Sequence, residues 1–408
     1  MPDVDVLVVG AGPAGAAAAE TLRAEGFEGS ILLAGRELDP PYERPPASKE
    51  YLLGRRSKED CLLQPPAFWE DRGIDLRTRT SVMKLDPAAR AATLASKEEV
   101  SFGQALLATG ANVRRLRVDG AALDGIHYIR ALGNADAVRR EAEDASRVVL
   151  VGGSYIACEV AASLTVMGKR CTLVAMEDEP MSRGFGGTVG RWMRGVLESH
   201  GVELALGETL ARFEGPEGGR VERVVCQSGR TLHADLVVMG TGAVPDVMLA
   251  RSAGLELGET GGVRCDARLR TSADGIWAAG DICEYDSVVH GRRLRIEHWE
   301  VARSQGAHAA RAMLGADEPY TEVPYFWTDV ADWVTLEYVG PAERWDREII
   351  RGSLEDGAFS VFYLDGGRVV AGLTAGRSAD LDLARQLIAS GEDVADRLEA
   401  LEAVDGAV

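Results

Sequence analysis

An α/β fold, with two doubly wound, three-layer sheet domains ahead of a smaller α+β domain, is what this sequence predicts from three observations. Residues 4 to 34 read as strand, glycine turn, alanine-rich helix and second strand. Residues 147 to 175 repeat that order. Toward the end, "DREIIRGS", "AFSVFYLDGGRVVAGLTAG" and a final amphipathic segment fit strands with a Gly-Gly hairpin followed by helices. A chain of 408 residues exceeds the size at which one core stops growing, so two or three domains are expected.

The first unit is "VDVLVVGAGPAGAAAAETLRAEGFEGSILLAGRE", with Gly10, Gly12 and Gly15 in the GxGxxG register of a Rossmann-like dinucleotide turn. Gly10 lets the chain turn tightly, Gly12 lets backbone approach a pyrophosphate, and Gly15 lets helix and strand pack closely. Pro13 and Ala14 start the helix, whose N-terminus aims free N–H groups and a positive dipole end at the phosphates. About 20 residues further on, an acid is expected to hold the ribose. The second strand ends in Gly35, Arg36 and Glu37, so Glu37 suits the ribose hydroxyls and Arg36 suits a cation–π contact over adenine.

The second unit has Gly152 and Gly153, then Ser154 at the second glycine position and Ala157 at the third. Ala is accepted there. Ser154 is expected to push a small side chain toward the pyrophosphate and offer it a hydroxyl. Ile156, Val160 and Leu164 share one helical face, expected to lie on the sheet. The last strand of the unit ends in "AMEDEPMSRG", where Glu177, with Asp178 and Glu179 nearby, favours the free 2′-hydroxyl of NADH over the 2′-phosphate of NADPH. Arg183 follows closely.

Three further segments fit the same plan. "ALLATGA", with Ala108, Thr109 and Gly110, and "LVVMGTGAVPD", with Thr241 and Gly242, are strands ending in a glycine-flanked Thr where a chain would cross between domains past a ligand. "TSADGIWAAGDI" runs into Gly280 and Asp281, an acid placed to accept from a ribityl hydroxyl.

Composition excludes other classes. A net charge of −19 argues against general affinity for nucleic acid or anionic membrane. No apolar run approaches the length that spans a bilayer, and no basic region or cleavage site marks a signal peptide, so a cytoplasmic protein is expected. Cys61, Cys158, Cys171, Cys226, Cys265 and Cys283 lack metal-like or CxxC spacing and are expected to be buried free thiols.

In their order along the chain, these segments resemble the flavoprotein family that includes putidaredoxin reductase, rubredoxin reductase, the ferredoxin reductase components of aromatic-ring dioxygenases, and apoptosis-inducing factor. The most telling pieces are "PYERPPASKEYL", "GGSYIACEVAASL", "GTGAVPD", "AAGDI", "EHWEVARSQG" and "YFWTDVADW". The resemblance implies FAD bound by residues 1–115 with 247–320, NADH bound by the insert 116–246, and a tail, 321–408, covering the flavin's edge. It implies that Lys49 lies near flavin N5, paired with Glu159, and that Arg44 meets the FAD pyrophosphate. It places Val82, His298, Trp299 and Trp327 around the flavin, and Tyr155 and Glu297 toward the nicotinamide.

The implied activity is hydride transfer from NADH to flavin, with electrons then passed to a small iron–sulfur carrier, a ferredoxin or rubredoxin. The alternatives are an NADH-responsive redox protein similar to apoptosis-inducing factor, which forms a charge-transfer complex and changes oligomeric state, or an NADH:quinone or oxygen reductase. Either a monomer or a homodimer fits. Such carriers are generally acidic, so a basic patch is expected at Arg114, Arg115 and Arg117 or at Arg292, Arg293 and Arg295.

Overall fold

The computed structural model describes residues 1–403, so residues 404–408 of the expected tail lie outside the described residues. The chain begins with β1 (Val4–Val9), α1 (Pro13–Ala24) and β2 (Ile31–Ala34). A short α2 (Ala67–Asp71) then leads into β3 (Ile74–Arg77), β4 (Val82–Asp86), β5 (Ala91–Leu94) and β6 (Glu99–Leu107). Strands β3, β2, β1 and β6 lie parallel in that order, and the β4–β5–β6 meander is antiparallel. Val6, Leu7, Val8, Leu32 and Leu33 are all buried. A continuous apolar strand, rather than an alternating one, is what a sheet covered on both faces requires.

The chain leaves through β7 (Ala111–Val113) and builds β8 (Ile126–Tyr128), α3 (Leu132–Asp144), β9 (Arg147–Val151), α4 (Tyr155–Val166), β10 (Arg170–Val174), α5 (Ser182–Ser199) and β11 (Glu203–Ala205). It continues through β12 (Leu210–Glu214), β13 (Arg223–Cys226), β14 (Thr231–His233) and β15 (Leu236–Met239), and returns through β16 (Ala243–Pro245). The second parallel sheet has the order β11-β10-β9-β15-β8. Its layers follow from the period of two along β9: Val148 and Leu150 join the core shared with α4, while Val149 and Val151 join Phe213, Val224 and Cys226 of the β12–β14 sheet. On α4, Val160 and Leu164 are fully buried as expected, but Ile156 is 40% exposed and opens into the cleft described below. The expectation that it packs on the sheet is corrected: Ile156 sits in the first turn, beyond the end of the strands. β7 and β16 pair antiparallel, so the outgoing and returning chains form one two-stranded link.

After α6 (Met248–Ser252) come β17 (Val263–Cys265), β18 (Ile276–Ala278), β19 (Cys283–Ser287), β20 (Arg292–Arg295) and α7 (Trp299–Met313). β18 joins β6 in the first sheet, and α7 packs against α1. The two helices approach so closely that a Cβ on Gly306 would lie 2.0 Å from the Ala14 carbonyl oxygen.

The remaining elements are β21 (Tyr325–Val330), β22 (Val334–Val339), β23 (Arg347–Ser353), β24 (Ala358–Asp365), β25 (Arg368–Ala375), α8 (Ala379–Ser390) and α9 (Leu398–Glu402). The strands form an antiparallel sheet of order β21-β22-β25-β24-β23. Gly366 and Gly367, both at positive φ, make the β24–β25 turn, which suits two-residue hairpins. Buried Arg351 pairs with Asp380 at 3.0 Å and donates to the Ala400 and Leu401 carbonyls, docking α9. The sheet also holds to the second sheet's helices: Tyr363 Oη donates to the Phe185 carbonyl and Trp192 Nε1 to that of Leu354, each at 2.8 Å.

Candidate active site

A cleft of about 1520 Å³ runs along the ends of the first sheet's strands, past the β7–β16 link, to the first turn of α4 and strand β21. It contains a ready-made cradle. Gly10 has φ +114°, and a Cβ there would meet the Ala108 carbonyl oxygen at 2.1 Å. A Cβ on Gly15 would meet the Gly10 carbonyl oxygen at 1.9 Å. At Gly12 the nearest atom to such a Cβ is Arg44 Nη2, at 3.8 Å, so that glycine faces open cleft. The turn is therefore packed where packing is needed and empty where a pyrophosphate fits. Gly10, Gly12, Pro13 and Ala14 line the cleft, while Gly15 lies beneath it.

At the adenosine end, the expected residues are present but tied to one another. Arg44 Nη2 pairs with Glu37 at 2.5 Å, and Tyr42 also donates to Glu37. Burial alone would raise the Glu37 carboxyl, but the Arg44 charge and the Arg44 and Tyr42 hydrogen bonds outweigh it and hold the group below its usual range. Arg36 reaches across the link to Asp246 at 2.6 Å and Asn112 at 2.7 Å, so its guanidinium is fixed by these partners rather than free over a base. Thr109 Oγ1 donates to the Asp246 carbonyl and Thr241 Oγ1 to that of Arg114, so both threonines secure the crossing strands. Gly280 donates its N–H to buried Gln305, and Asp281 pairs with Arg130 at 2.5 Å. Tyr42 and Arg130 were not legible as site residues. Tyr42 lies within the "PYERPPASKEYL" segment, five residues from Glu37, whereas nothing around Arg130 signals the chemistry and only the fold brings it to Asp281.

Lys49 and Glu159 meet as expected. Their ion pair measures 2.8 Å, with side-chain exposures of 8% and 3%. Ser48 Oγ donates to Glu159 Oε2 at 2.5 Å and Thr328 Oγ1 to Oε1 at 2.7 Å. Two separate stretches of chain, residues 48–49 and β21, thus converge on one buried carboxylate. The period of two along β21 turns Thr328 and Phe326 inward together. Phe326 rests against His298, with ring centroids 4.3 Å apart, and against Tyr155 at 5.1 Å. Trp327 lines the cleft, its Nε1 donating to Asp329 at 3.1 Å.

His298 caps α7 without a side-chain capping bond, and its buried Nδ1 has no partner. Burial lowers its pKa to about 3, which keeps the ring neutral. An orphaned polar atom on a residue lining the cleft that also holds the phosphate-ready turn fits a flavin nucleotide, as do Val82, Ala108, Gly110 and Trp299 along the walls. The six cysteines are free and buried. Burial pushes Cys171 up to about 11 and Cys158 higher, so neither is a thiolate near neutrality.

The second turn corrects one expectation. Gly152 has φ +121°, and a Cβ there would meet the Gly240 carbonyl oxygen at 2.2 Å. Ser154 Oγ, expected to face a pyrophosphate, instead donates to that same carbonyl at 3.0 Å and accepts from the Ala157 N–H at 3.5 Å. It caps α4, because a serine hydroxyl at an N-cap finds backbone partners before it finds a ligand. Ser154→Ala is therefore expected to cost about 1 kcal/mol and Ser154→Gly a few tenths, read from urea midpoints. NADH affinity in Ser154→Gly should stay within about 2-fold of wild type. A larger change with an unaltered midpoint would mean that the hydroxyl serves the ligand after all.

Tyr155, Ile156, Thr241, Gly242 and Glu297 line the cleft with Ser154, whereas Gly152, Gly153 and Glu177 lie outside it. Glu177 stands beside Gly153, where a Cβ would be 3.2 Å from its Oε2, and pairs with Arg183 at 3.0 Å. Glu297 pairs with Arg295 at 2.5 Å. With Arg292 bound to Glu343 and Arg293 to Asp286, the 292–295 run is neutralised and is no free basic patch. Arg115 of the other run lies over the Tyr128 ring, 5.2 Å from its centroid.

Two dinucleotide-type turns and a cleft with a buried Lys–Glu pair on its wall define an α/β oxidoreductase of the two-nucleotide kind. A family model described as pyridine nucleotide-disulphide oxidoreductase matches residues 4–306, and one described as reductase C-terminal matches 325–405. The chain belongs to the pyridine nucleotide-disulphide oxidoreductase family. It is 36% identical, over 97% of its length and 95% of the relative's, to the 5,5′-dehydrodivanillate O-demethylase ferredoxin reductase subunit of Sphingobium sp.. The crystal structure of the ferredoxin reductase for the CYP199A2 system from Rhodopseudomonas palustris matches with a TM-score of 0.91 at 32% identity, covering 96% of this chain and 95% of that one. The covalent putidaredoxin reductase–putidaredoxin complex matches at 0.90 and 31%, covering 98% and 99%. Among the described residues, no helix is long and apolar enough to cross a membrane.

Proposed function

We propose that this chain is an FAD-dependent reductase that accepts hydride from NADH and passes electrons to a small iron–sulfur protein, a ferredoxin or rubredoxin. Residues 1–115 with 247–320 form its FAD half, 116–246 its NADH half, and 321–408 the cover. The observation that carries this reading is the Lys49–Glu159 pair, buried where the 45–49 segment, the start of α4 and β21 converge. Bound FAD would supply a two-electron acceptor able to release its electrons singly.

The chain's own residues do the rest. The Gly10–Gly15 turn and the α1 N-terminus receive the pyrophosphate, and Arg44 and Arg130 bring positive charge to it. Glu37 and Asp281 accept from sugar hydroxyls once their arginines turn to phosphate. Lys49 holds positive charge beside the reacting ring, and Glu159, held by three donors, fixes that lysine's position. Neutral His298 supplies an imidazole nitrogen to the same ring, Trp299 and Trp327 screen it from water, and Tyr155 and Glu297 orient the nicotinamide. Glu177 at the tip of β10 supports NADH as the preferred coenzyme. The buried free thiols support a cytoplasmic location.

An anaerobic NADH titration of the purified protein tests this reading, followed by a panel of ferredoxin, rubredoxin, quinone and oxygen as acceptors. Bleaching of the flavin band by one equivalent of NADH and fast turnover with an iron–sulfur carrier are expected. A flavin that NADH leaves oxidised would overturn the proposal, and turnover with quinone alone would overturn the carrier.

A further inference from the structure

The arginine run that offers no docking patch ends in a residue with another use. β19 and β20 pair antiparallel, and Glu284 lies directly opposite Arg295 across them. Opposite charges so placed are within reach of each other, yet here a hydroxyl stands between them. Thr260 Oγ1 donates to Glu284 Oε2 at 2.5 Å and accepts from Arg295 Nε at 3.2 Å. A carboxylate only accepts and a guanidinium only donates, so the three groups allow no other direction. The same Oε2 accepts the Thr260 and Gly262 N–H groups, each at 3.1 Å, and Glu284 is 1% exposed. The loop that carries these donors also presses on the arginine's stem, because a Cβ on Gly262 would lie 2.7 Å from Arg295 Cδ.

The other end of Arg295 serves the cleft. Its Nη1 donates to the Asp281 carbonyl at 3.0 Å and pairs with Glu297 Oε1 at 2.5 Å. One nitrogen thus binds both the chain that holds the sugar acid and the acid assigned to the nicotinamide. Arg295, Asp281 and Glu297 line the cleft, whereas Thr260 and Glu284 lie outside it. A guanidinium is a rigid planar fork, so holding Nε on Thr260 fixes where Nη1 points. A buried carboxylate is costly unless donors fill it, and the three that fill Glu284 make it a fixed anchor for Thr260.

We propose that Arg295 is a positioning residue for hydride transfer: anchored from behind by Thr260 and Glu284, it sets the Glu297 carboxylate at a fixed distance from the Asp281 main chain, and so fixes where the carboxamide of the nicotinamide settles. The inference rests on the reading of Glu297 as the carboxamide's partner. It makes Thr260, which touches no ligand, a determinant of the reduction rate.

The test is anaerobic rapid mixing of the flavin-loaded protein with NADH and with its reduced 3-acetylpyridine analogue, whose methyl ketone has no amide N–H for Glu297 to accept. Thr260→Val removes the hydroxyl and keeps the main-chain donor to Glu284. It should keep its flavin and reduce it about 10-fold more slowly with NADH, since reacting groups held slightly out of place lose rate steeply. With the analogue the fall should stay within about 2-fold, because the contact that Arg295 positions is missing. Thr260→Ser should restore the NADH rate. Arg295→Lys keeps the charge but loses the fork; it should repeat the pattern and decides the matter if Thr260→Val does not fold. An equal fall with both coenzymes, or no fall with NADH, would overturn the role of Arg295. Glu297→Ala tests the reading beneath it: if that variant leaves the ratio of the NADH rate to the analogue rate unchanged, Glu297 is not the carboxamide's partner and the assignment on which the inference rests fails.

Discussion

Gly10→Ala should purify without flavin and unfold at a markedly lower urea concentration, for two separate reasons. The residue lies at φ +114°, where an L side chain is strained. That strain alone costs about 1–3 kcal/mol. The added Cβ would also lie 2.1 Å from the Ala108 carbonyl oxygen, and that atom belongs to the β6 end of the sheet, which has no room to retreat. Relief requires the turn to pull away from β6, and the turn is the pyrophosphate cradle. The combined cost is expected to be about 3 kcal/mol or more, a large share of a domain's stability. Gly26→Ala is the control: it too has positive φ, +82°, but a Cβ there meets nothing within 4 Å. It should lose about 1 kcal/mol and keep its flavin. Measuring flavin-to-protein absorbance and the urea midpoint for both variants decides the matter. A Gly10→Ala protein that retains flavin like Gly26→Ala would show that the turn is not the binding element.

How far the sequence could be read follows from where the information lies. The two parallel sheets were legible because their signal is local: an apolar strand, a glycine turn and a helix within about 30 residues. The Lys49–Glu159 pair was reached through the resemblance, and the charges alone would have passed for surface residues. Thr328 escaped notice as a partner of Glu159 although the two are joined by a 2.7 Å hydrogen bond, because 169 residues separate them. Arg130 escaped for the same reason, since 151 residues separate it from Asp281. Ser154 and Ile156 were misread differently. Ser154 was assigned by its position in a motif and Ile156 by helical periodicity, but the preference of an N-cap serine for backbone and the exposure of a helix's first turn beyond the sheet decided their orientation. Arg36 and the 292–295 arginines show a further limit: a cation's role depends on which carboxylate reaches it first, and Asp246, Glu343, Asp286 and Glu297 do.

Glu159→Ala should be the most destabilising single change in the cleft, by about 3–5 kcal/mol, because it leaves Lys49 charged and buried without its counter-ion. It also strips Ser48 and Thr328 of their acceptor. Lys49→Met strands the opposite charge, the Glu159 carboxylate. That change should cost less, because Glu159 keeps its two hydroxyl donors. The sharper expectation concerns the pair: Lys49→Met combined with Glu159→Leu should recover much of the stability lost in Glu159→Ala, since a buried ion pair is often no more stable than apolar residues of similar volume. The double variant should nevertheless stay slow in flavin reduction by NADH. Stability would then be restored without function, which separates a fold-building pair from one retained for chemistry. Urea denaturation of Lys49→Met, Glu159→Leu and the double variant gives the coupling energy, and anaerobic rapid mixing gives the reduction rate. If the double variant reduces flavin at the wild-type rate, the Lys49–Glu159 pair is scaffolding and the catalytic assignment falls. If it is as unstable as Glu159→Ala, the stranded charge is not the cause of the loss, and the burden shifts to the Ser48 and Thr328 hydroxyls that bind the carboxylate from either side.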